Sequence, residues 1–303
     1  MRFSVWPNPQ RTWDQVREIV ERCDETGWDG AYYADHFMPD DPEGRPSDGA
    51  YLECWSVLAG LAARTERLRL GSLVSGNLYR HPAVLANTAA TIDHMSGGRL
   101  VLGLGAGWQV NEHAAYGIDL PAPGERVDRL EEACAVVSSL LRETRTTYSG
   151  RYYRLTDAPC EPKRHEGHLP LLVGGAGEKR TLPVAARYAD EWNAWTTPDV
   201  FKHKSGLLDG YCEEIGRDPG TIRRSTQAMV FLSKDESWLA RFRDQGPGRP
   251  VLVGTPAEVT DRVGAYQAVG VEELIVPDWT MGPVERTLDT LEMFRTEVAA
   301  HFG

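Results

Sequence analysis

The stretch Arg99–Trp108, RLVLGLGAGW, sets an apolar run directly before three glycines, Gly103, Gly105 and Gly107. A strand that runs into glycines invites a dinucleotide-binding reading, in which backbone N–H groups approach a pyrophosphate. The spacing excludes it. Counted from Gly103, the pattern puts Trp108 where the fingerprint requires a glycine, and no glycine-rich turn follows the first strand of the chain. The absence of a G-K-[ST] ending excludes a P-loop as well. What remains is a strand end stripped of side chains, with Trp108 as a wall of an opening that could take a planar cofactor.

The same two-part unit recurs along the chain. FSVW, Phe3–Trp6, precedes 12–26, where Trp13, Val16, Ile19, Val20 and Cys23 fall at helical spacing, Thr12 and Gln15 make a capping box and Gly27 a stop. Residues 30–36, GAYYADH, read as strand two and 51–64 as helix two; 68–74, LRLGSLV, is strand three and 82–95 helix three, with Pro82 in its first turn. RLVLGLG is strand four and 126–141 helix four. An excursion at about 143–169 follows, in which TTYSGRYYRL alternates and turns at Ser149-Gly150 like a hairpin. The rhythm resumes with PLLVGG as strand five, 178–188 as a helix, ADEWN as strand six, 198–215 as a helix and 221–232, TIRRSTQAMVFL, as strand seven. After an insertion at about 234–250 come helix seven (256–269), strand eight (VEELIVP) and helix eight (284–298). Eight strand–helix pairs in 303 residues is the count of an α/β protein of the (β/α)8 TIM-barrel class with insertions, read as one domain over 1–303. A doubly wound sheet is the alternative, but no linker rich in Ser, Gly or Pro supplies the domain break it usually needs.

A formal net charge of -11 speaks against a nucleic-acid partner, whose backbone calls for clustered lysine and arginine. No apolar run approaches the roughly 18 residues of a membrane span, and the first residues lack a leader pattern, so no membrane partner and a cytoplasmic location are expected. Five scattered cysteines without a C-x-x-C pair indicate neither a disulfide framework nor a zinc site, and no metal is expected. Cys23, Cys54 and Cys134 fall in helical patterns as buried residues; Cys160, after a proline, is the one open to exposure.

In such a barrel the chemistry gathers where strands end. Asp35-His36, after strand two, is the sharpest polar pair: a histidine exchanges protons near neutral pH, and its neighbour can fix a loop or a cofactor edge. LLVGGAGEKR offers a glycine turn leading into a helix, suited to a phosphate with Lys179 and Arg180 adding charge, although a plain tight turn would use the same residues. Of nine tryptophans, Trp192 and Trp195 are expected near the opening and most of the rest in the core.

GWDGAYYADHF, LRLGSLVSGNLYRHPAVLANTAATIDHMSGGRLVLGLGAGW, NEHAAYGID and LPLLVGGAGEKR followed by ADEWN together resemble the luciferase-like flavin and deazaflavin family, specifically its coenzyme F420-dependent oxidoreductases. The resemblance spans nearly the whole chain and implies a (β/α)8 barrel, coenzyme F420 with FMN as the alternative, and hydride transfer between the deazaflavin C5 and a small organic substrate. It implies that His36 lies beside the ring as a catalytic residue with Asp35 next to it. A cis bond at Leu73-Val74 would back the ring, and Ala106 and Gly107 would contact the ring edge or side chain with Trp108 adjoining. Gly175, Ala176, Gly177 and Glu178 would cradle the phosphate.

One departure matters. The family's sugar-phosphate dehydrogenases carry a glutamate where this chain has Trp108 and a tryptophan near the position of Asp40, so glucose 6-phosphate is disfavoured and Glu112 is the nearby acid–base substitute. The rival readings are an FMN-dependent monooxygenase served by a partner reductase, and a non-catalytic flavin-binding protein whose substrate face would be filled by Trp108 and the loop 39–48. Family habit implies a homodimer. The substrate and the direction of the reaction stay open.

Overall fold

Short runs that are apolar on both faces suit a parallel sheet covered by helices. The first strand, β1 (Arg2–Trp6), is followed by β2 (Gly30–Tyr33), β3 (Arg69–Ser72) and β4 (Leu100–Gly105), the last buried at every position. The second half supplies β5 (Leu171–Gly174), β6 (Glu191–Asn193), β7 (Arg223–Gln227) and β8 (Glu273–Pro277). In this computed structural model, which describes residues 1–164, 166–243 and 250–303, these eight strands pair in the order β3-β2-β1-β8-β7-β6-β5-β4. Pairing of β4 back onto β3, Leu70 opposite Leu100, closes the barrel.

Among the described residues, the helices that alternate with the barrel strands are α1 (Trp13–Thr26), α2 (Cys54–Ala62), α3 (Pro82–Met95), α4 (Pro123–Arg142), α5 (Thr181–Tyr188), α6 (Pro198–Glu214), α7 (Pro256–Ala268) and α8 (Val284–Glu297), and a further short helix, Val110–Tyr116, follows β4. The expected capping box of Thr12 and Gln15 is present, and Gly27 ends α1 at φ 84°. Arg99, which opens the diagnostic stretch, spreads its guanidinium over Thr65 O (2.6 Å), Leu68 O (2.6 Å) and Ala62 O (3.2 Å), so it satisfies a carbonyl at the end of α2 and two in the connection that follows. At the N-terminal mouth, Arg69 bridges Glu191 and Glu273 (3.2 Å), and Ser4 Oγ donates to Glu273 (2.5 Å). That end is plugged, and the opposite end carries the cavity.

Three expectations need correction. The run 221–232 is not one strand: β7 stops at Gln227, and Met229–Leu232 leaves the barrel to pair in parallel with Val251–Gly254. Phe231, Leu239 and Val253 give that pair a small core of its own, with Trp238 and Phe242 packed on it, which is why the β-branched pattern continues past the barrel. Of the insertion at about 234–250, Glu236–Leu239 is a short helix capped by Asp235, and 244–249 lie outside the described residues, as does His165 in the excursion. Cys160 is buried in the main core despite its loop position. The excursion itself contains the expected hairpin, Thr146–Ser149 against Arg154–Ala158.

Strand three was expected to run through Val74 but leaves the ladder after Ser72. The Leu73–Val74 peptide is cis, as the resemblance implied, and pairing resumes at Ser75–Gly76 against Leu104–Gly105. At the break Ser72 Oγ donates to Gly103 O (2.8 Å) and accepts from Gly103 N (3.0 Å), so a side chain completes the ladder. The glycines explain themselves here. A Cβ at Gly105 would come within 2.6 Å of Val74 Cγ2, one at Gly174 within 2.8 Å of Val74 Cγ1, and one at Gly103 would overlap the Ser72 carbonyl oxygen. Gly103→Ala must therefore displace backbone, and it is expected to cost about 3 kcal/mol. Gly206→Ala, in α6 with open space around the new methyl, is expected to stabilise by about 0.5–1 kcal/mol. Urea unfolding of the two variants checks the contrast.

Candidate active site

The C-terminal strand ends open into a cavity of about 760 Å³, a size suited to a bound organic molecule. Its wall from Gly105 to Gly107 and from Gly174 to Gly175 presents little but backbone, and Val74 stands beside it. Asp35, at the end of β2, fixes the segment after β3. It accepts from Ser75 Oγ (2.5 Å) and from both terminal nitrogens of Arg80 (2.7 and 3.1 Å). Burial raises the Asp35 carboxyl, and Arg80 and Ser75 only partly offset it. Arg80 also reaches Glu53 (2.6 Å), the cap of α2, while Trp55 Nε1 donates to Ser75 Oγ (3.0 Å). Both Asp35 oxygens are thus committed to protein partners.

His36 is held by a separate group. Its Nδ1 lies 2.7 Å from Glu112 Oε1, the Phe37 N–H donates to Glu112 Oε2 (2.7 Å), and the Tyr79 hydroxyl donates to Oε1. Burial would push the Glu112 carboxyl up, but these bonds outweigh it and hold it below the usual carboxylate range. An ionised Glu112 can only accept, so Nδ1 carries the proton and Nε2 is left for the cavity. Trp108 crosses His36 edge-on at 5.4 Å, half exposed at the mouth.

The residues expected at the site separate as follows. Asp35, His36, Leu73, Val74, Ala106, Gly107, Trp108 and Gly175 line the cavity. Glu112 does not; it is fully buried and touches His36 from behind the cavity wall. Glu178 turns outward to Lys204 (2.6 Å) and His203 (3.1 Å), so its carboxylate takes no part in the cavity wall, and Ala176 and Gly177 also stand outside it. Arg180 pairs with Asp128 at the surface.

Trp192 points to the helical layer, against Phe201, because its neighbour Asn193 faces inward and side chains alternate along β6. It still acts at a distance, since Trp192 Nε1 donates to Gly175 O (2.9 Å). Tyr51, Tyr79, Thr181, Trp6 and Trp279 line the cavity without having been singled out for it. For Trp6 and Trp279 the signal was available, as they stand at the ends of strands one and eight.

The sequence pattern of the luciferase-like monooxygenase family matches residues 1–243. The chain belongs to this family. It is 31% identical to an F420-dependent glucose-6-phosphate dehydrogenase of Kineococcus radiotolerans over 73% of its own length and 65% of that enzyme's, so the match takes in just under two thirds of that relative. An uncharacterised protein of Mycobacterium tuberculosis is 32% identical over 77% of this chain and 78% of its own. Among solved structures, an F420-dependent secondary alcohol dehydrogenase in complex with an F420-acetone adduct superposes with a TM-score of 0.84 at 19% identity, covering 99% of this chain and 98% of that one, which supports the fold. No helix among the described residues is long and apolar enough to cross a membrane.

Next to the cavity of this family member, Asp278 closes the β8 end, accepting from Asn8 N (2.7 Å) and Arg11 Nε (2.8 Å). Burial nevertheless raises its carboxyl to about 6. Between about pH 4, where the unfolded carboxyl ionises, and that value, the folded protein keeps a proton the unfolded chain has lost, so stability falls as pH rises across the window. Asp278→Asn removes this contribution. In urea melts between acid and neutral pH, the stability of the natural protein relative to the variant is expected to decline across that window and level off above it.

Proposed function

We propose that the protein is an F420-dependent oxidoreductase that transfers a hydride between the deazaflavin C5 and a small organic substrate. The observation that carries this reading is His36, pinned through Nδ1 by a buried carboxylate and presenting Nε2 to a cavity one side of which is bare backbone. The F420-dependent relative and the F420-dependent structural neighbour support the choice of cofactor.

The residues fit such a group. A flat ring can lie against the glycine wall, with Leu73 and Val74 behind it, and Ala106, Gly107 and Trp108 at its edge. Gly175 and Thr181, which line the cavity on either side of the turn leading into α5, would hold its phosphate. When bound, the deazaflavin supplies the carbon that gives or takes the hydride. His36 Nε2 takes a proton from a substrate hydroxyl in oxidation, or its protonated form returns one in reduction. Glu112 keeps the imidazole oriented and stabilises its charged form; Tyr79 and the Phe37 N–H keep Glu112 ionised.

A sugar phosphate is a poor candidate substrate. Among the described residues that line the cavity there is no lysine or arginine to meet its phosphate, and Trp108 occupies the mouth. A cavity bounded by Trp108, Pro39 and Asp40 rather than filled by them weighs against a non-catalytic carrier.

Parallel titration of the protein with F420 and FMN tests the cofactor: F420 is expected to bind in preference, and binding of FMN alone would make the FMN-dependent monooxygenase the better reading. Turnover is followed by deazaflavin absorbance with a panel of alcohols and conjugated carbonyl compounds, glucose 6-phosphate being expected inert. His36→Ala is expected to lower kcat by about 10²–10⁴-fold while F420 affinity changes by less than about threefold. Glu112→Gln is expected to lower kcat by about 10–100-fold with KM little changed, the split expected of a positioning residue. Full turnover by His36→Ala would remove His36 from the mechanism.

A further inference from the structure

The half of the cavity away from the glycine wall holds three tryptophans. Trp6 ends β1, Trp195 follows β6 and Trp279 follows β8, and the ring centroids lie 4.7 Å (Trp6–Trp279), 5.7 Å (Trp6–Trp195) and 5.8 Å (Trp195–Trp279) apart at tilted or edge-on angles. Three rings set in this way make a corner with aromatic faces on its sides. The indole N–H groups of Trp6 and Trp279 and Oε1 of Gln227, at the end of β7, are buried without a hydrogen-bond partner among the described residues. A buried N–H left unpaired is costly, and a bound molecule whose oxygen pairs with it recovers much of that cost.

We propose that this corner is the substrate subsite and that it takes a neutral, flat, conjugated molecule carrying a carbonyl or ring-oxygen acceptor. The proposal rests on the F420-dependent reading for the presence of a substrate, but the corner's preference follows from its own groups. Trp6, Asn193, Trp195, Gln227 and Trp279 bring no ionisable side chain, so a charged ligand would leave water for an uncompensated site. The rings favour a planar guest through offset and edge-to-face contact. The two indole N–H groups ask for an acceptor oxygen, which an ammonium guest drawn to the same faces would not provide. Trp6 shares one apolar cluster with Leu73, and Val74 and Trp279 pack against it. A guest in the corner therefore borders the surface on which the cofactor ring would lie.

Calorimetric titration of the full chain, without and with F420, uses four probes: chromone, which is flat with a carbonyl; indene, flat without an acceptor; cyclohexanone, an acceptor that is not flat; and tetramethylammonium. Chromone is expected to bind at least about tenfold more tightly than the other three. Trp6→Phe and Trp279→Phe keep a ring and delete the N–H, and each is expected to weaken chromone about five- to tenfold with F420 affinity unchanged within about twofold. The inference is overturned if cyclohexanone or tetramethylammonium matches chromone, or if neither substitution weakens it. An equal loss of F420 affinity would also overturn it, by giving the corner to the cofactor. Failure of F420 to bind at all would sink the proposed function, while the chromone comparison without F420 still decides the corner.

Discussion

One valine side chain sits in a gap that three glycines on two neighbouring strands leave open, and the shape of the cavity depends on that contact. Gly105 of β4 and Gly174 of β5 flank Val74, and Gly103 of β4 flanks the Ser72 carbonyl as well, at separations no Cβ could share. Glycine inside a strand weakens it through lost packing and greater unfolded-state freedom, so three of them at one place need a local reason. The reason is that β3 breaks off at Ser72, and the residues after it lie across the ends of β4 and β5. The Ser72 hydroxyl, bonded to both backbone groups of Gly103, lets the strand end there without leaving the ladder unpaired.

The break is held from outside by charge. Arg80 ties Asp35 of the β2 end to Glu53 of the α2 cap, and Ser75 joins Asp35 to Trp55. Burial works against this ion pair, as the raised Asp35 carboxyl records. Buried pairs of this kind are weak sources of net stability, and their use lies in the geometry they impose. Here the geometry is the position of the segment that carries Val74. A second group, Glu112 with Tyr79 and the Phe37 N–H, sets His36 independently. Two neighbouring residues, Asp35 and His36, are thus held by different groups: one fixes the segment after β3 and the other faces the cavity.

The barrel was legible because eight apolar runs alternate with amphipathic ones, and helix boundaries such as Pro82–Met95 followed from caps and prolines that act locally. The splitting of 221–232 was not, because a strand that leaves the barrel to pair with another parallel strand keeps the same residue preferences. At the site, residues that directly follow strands were readable by position. Glu112 lies 75 residues beyond the Phe37 N–H it accepts, and nothing local marks a carboxylate as buried behind a histidine instead of facing a pocket. Trp192 and Asn193 show the finer difficulty: neighbours on one strand face opposite layers, and a strand of three residues leaves too little alternation to tell which is which.

The placement of Glu112 also bears on the proton transfer in the proposed function. A carboxylate that accepts from His36, Tyr79 and the Phe37 N–H, and is held ionised by them, has no proton to give and no free face toward the cavity. With Trp108 beside His36 at the mouth, the proposed function gives the work of proton transfer to the single nitrogen His36 Nε2. One such group suffices where a hydroxyl is converted to a carbonyl or the reverse, since only one proton accompanies the hydride. On that proposal, a cavity that couples one proton-transfer group to a neutral aromatic corner would suit an uncharged substrate in both halves, recognised by shape and by a polar oxygen instead of by charge.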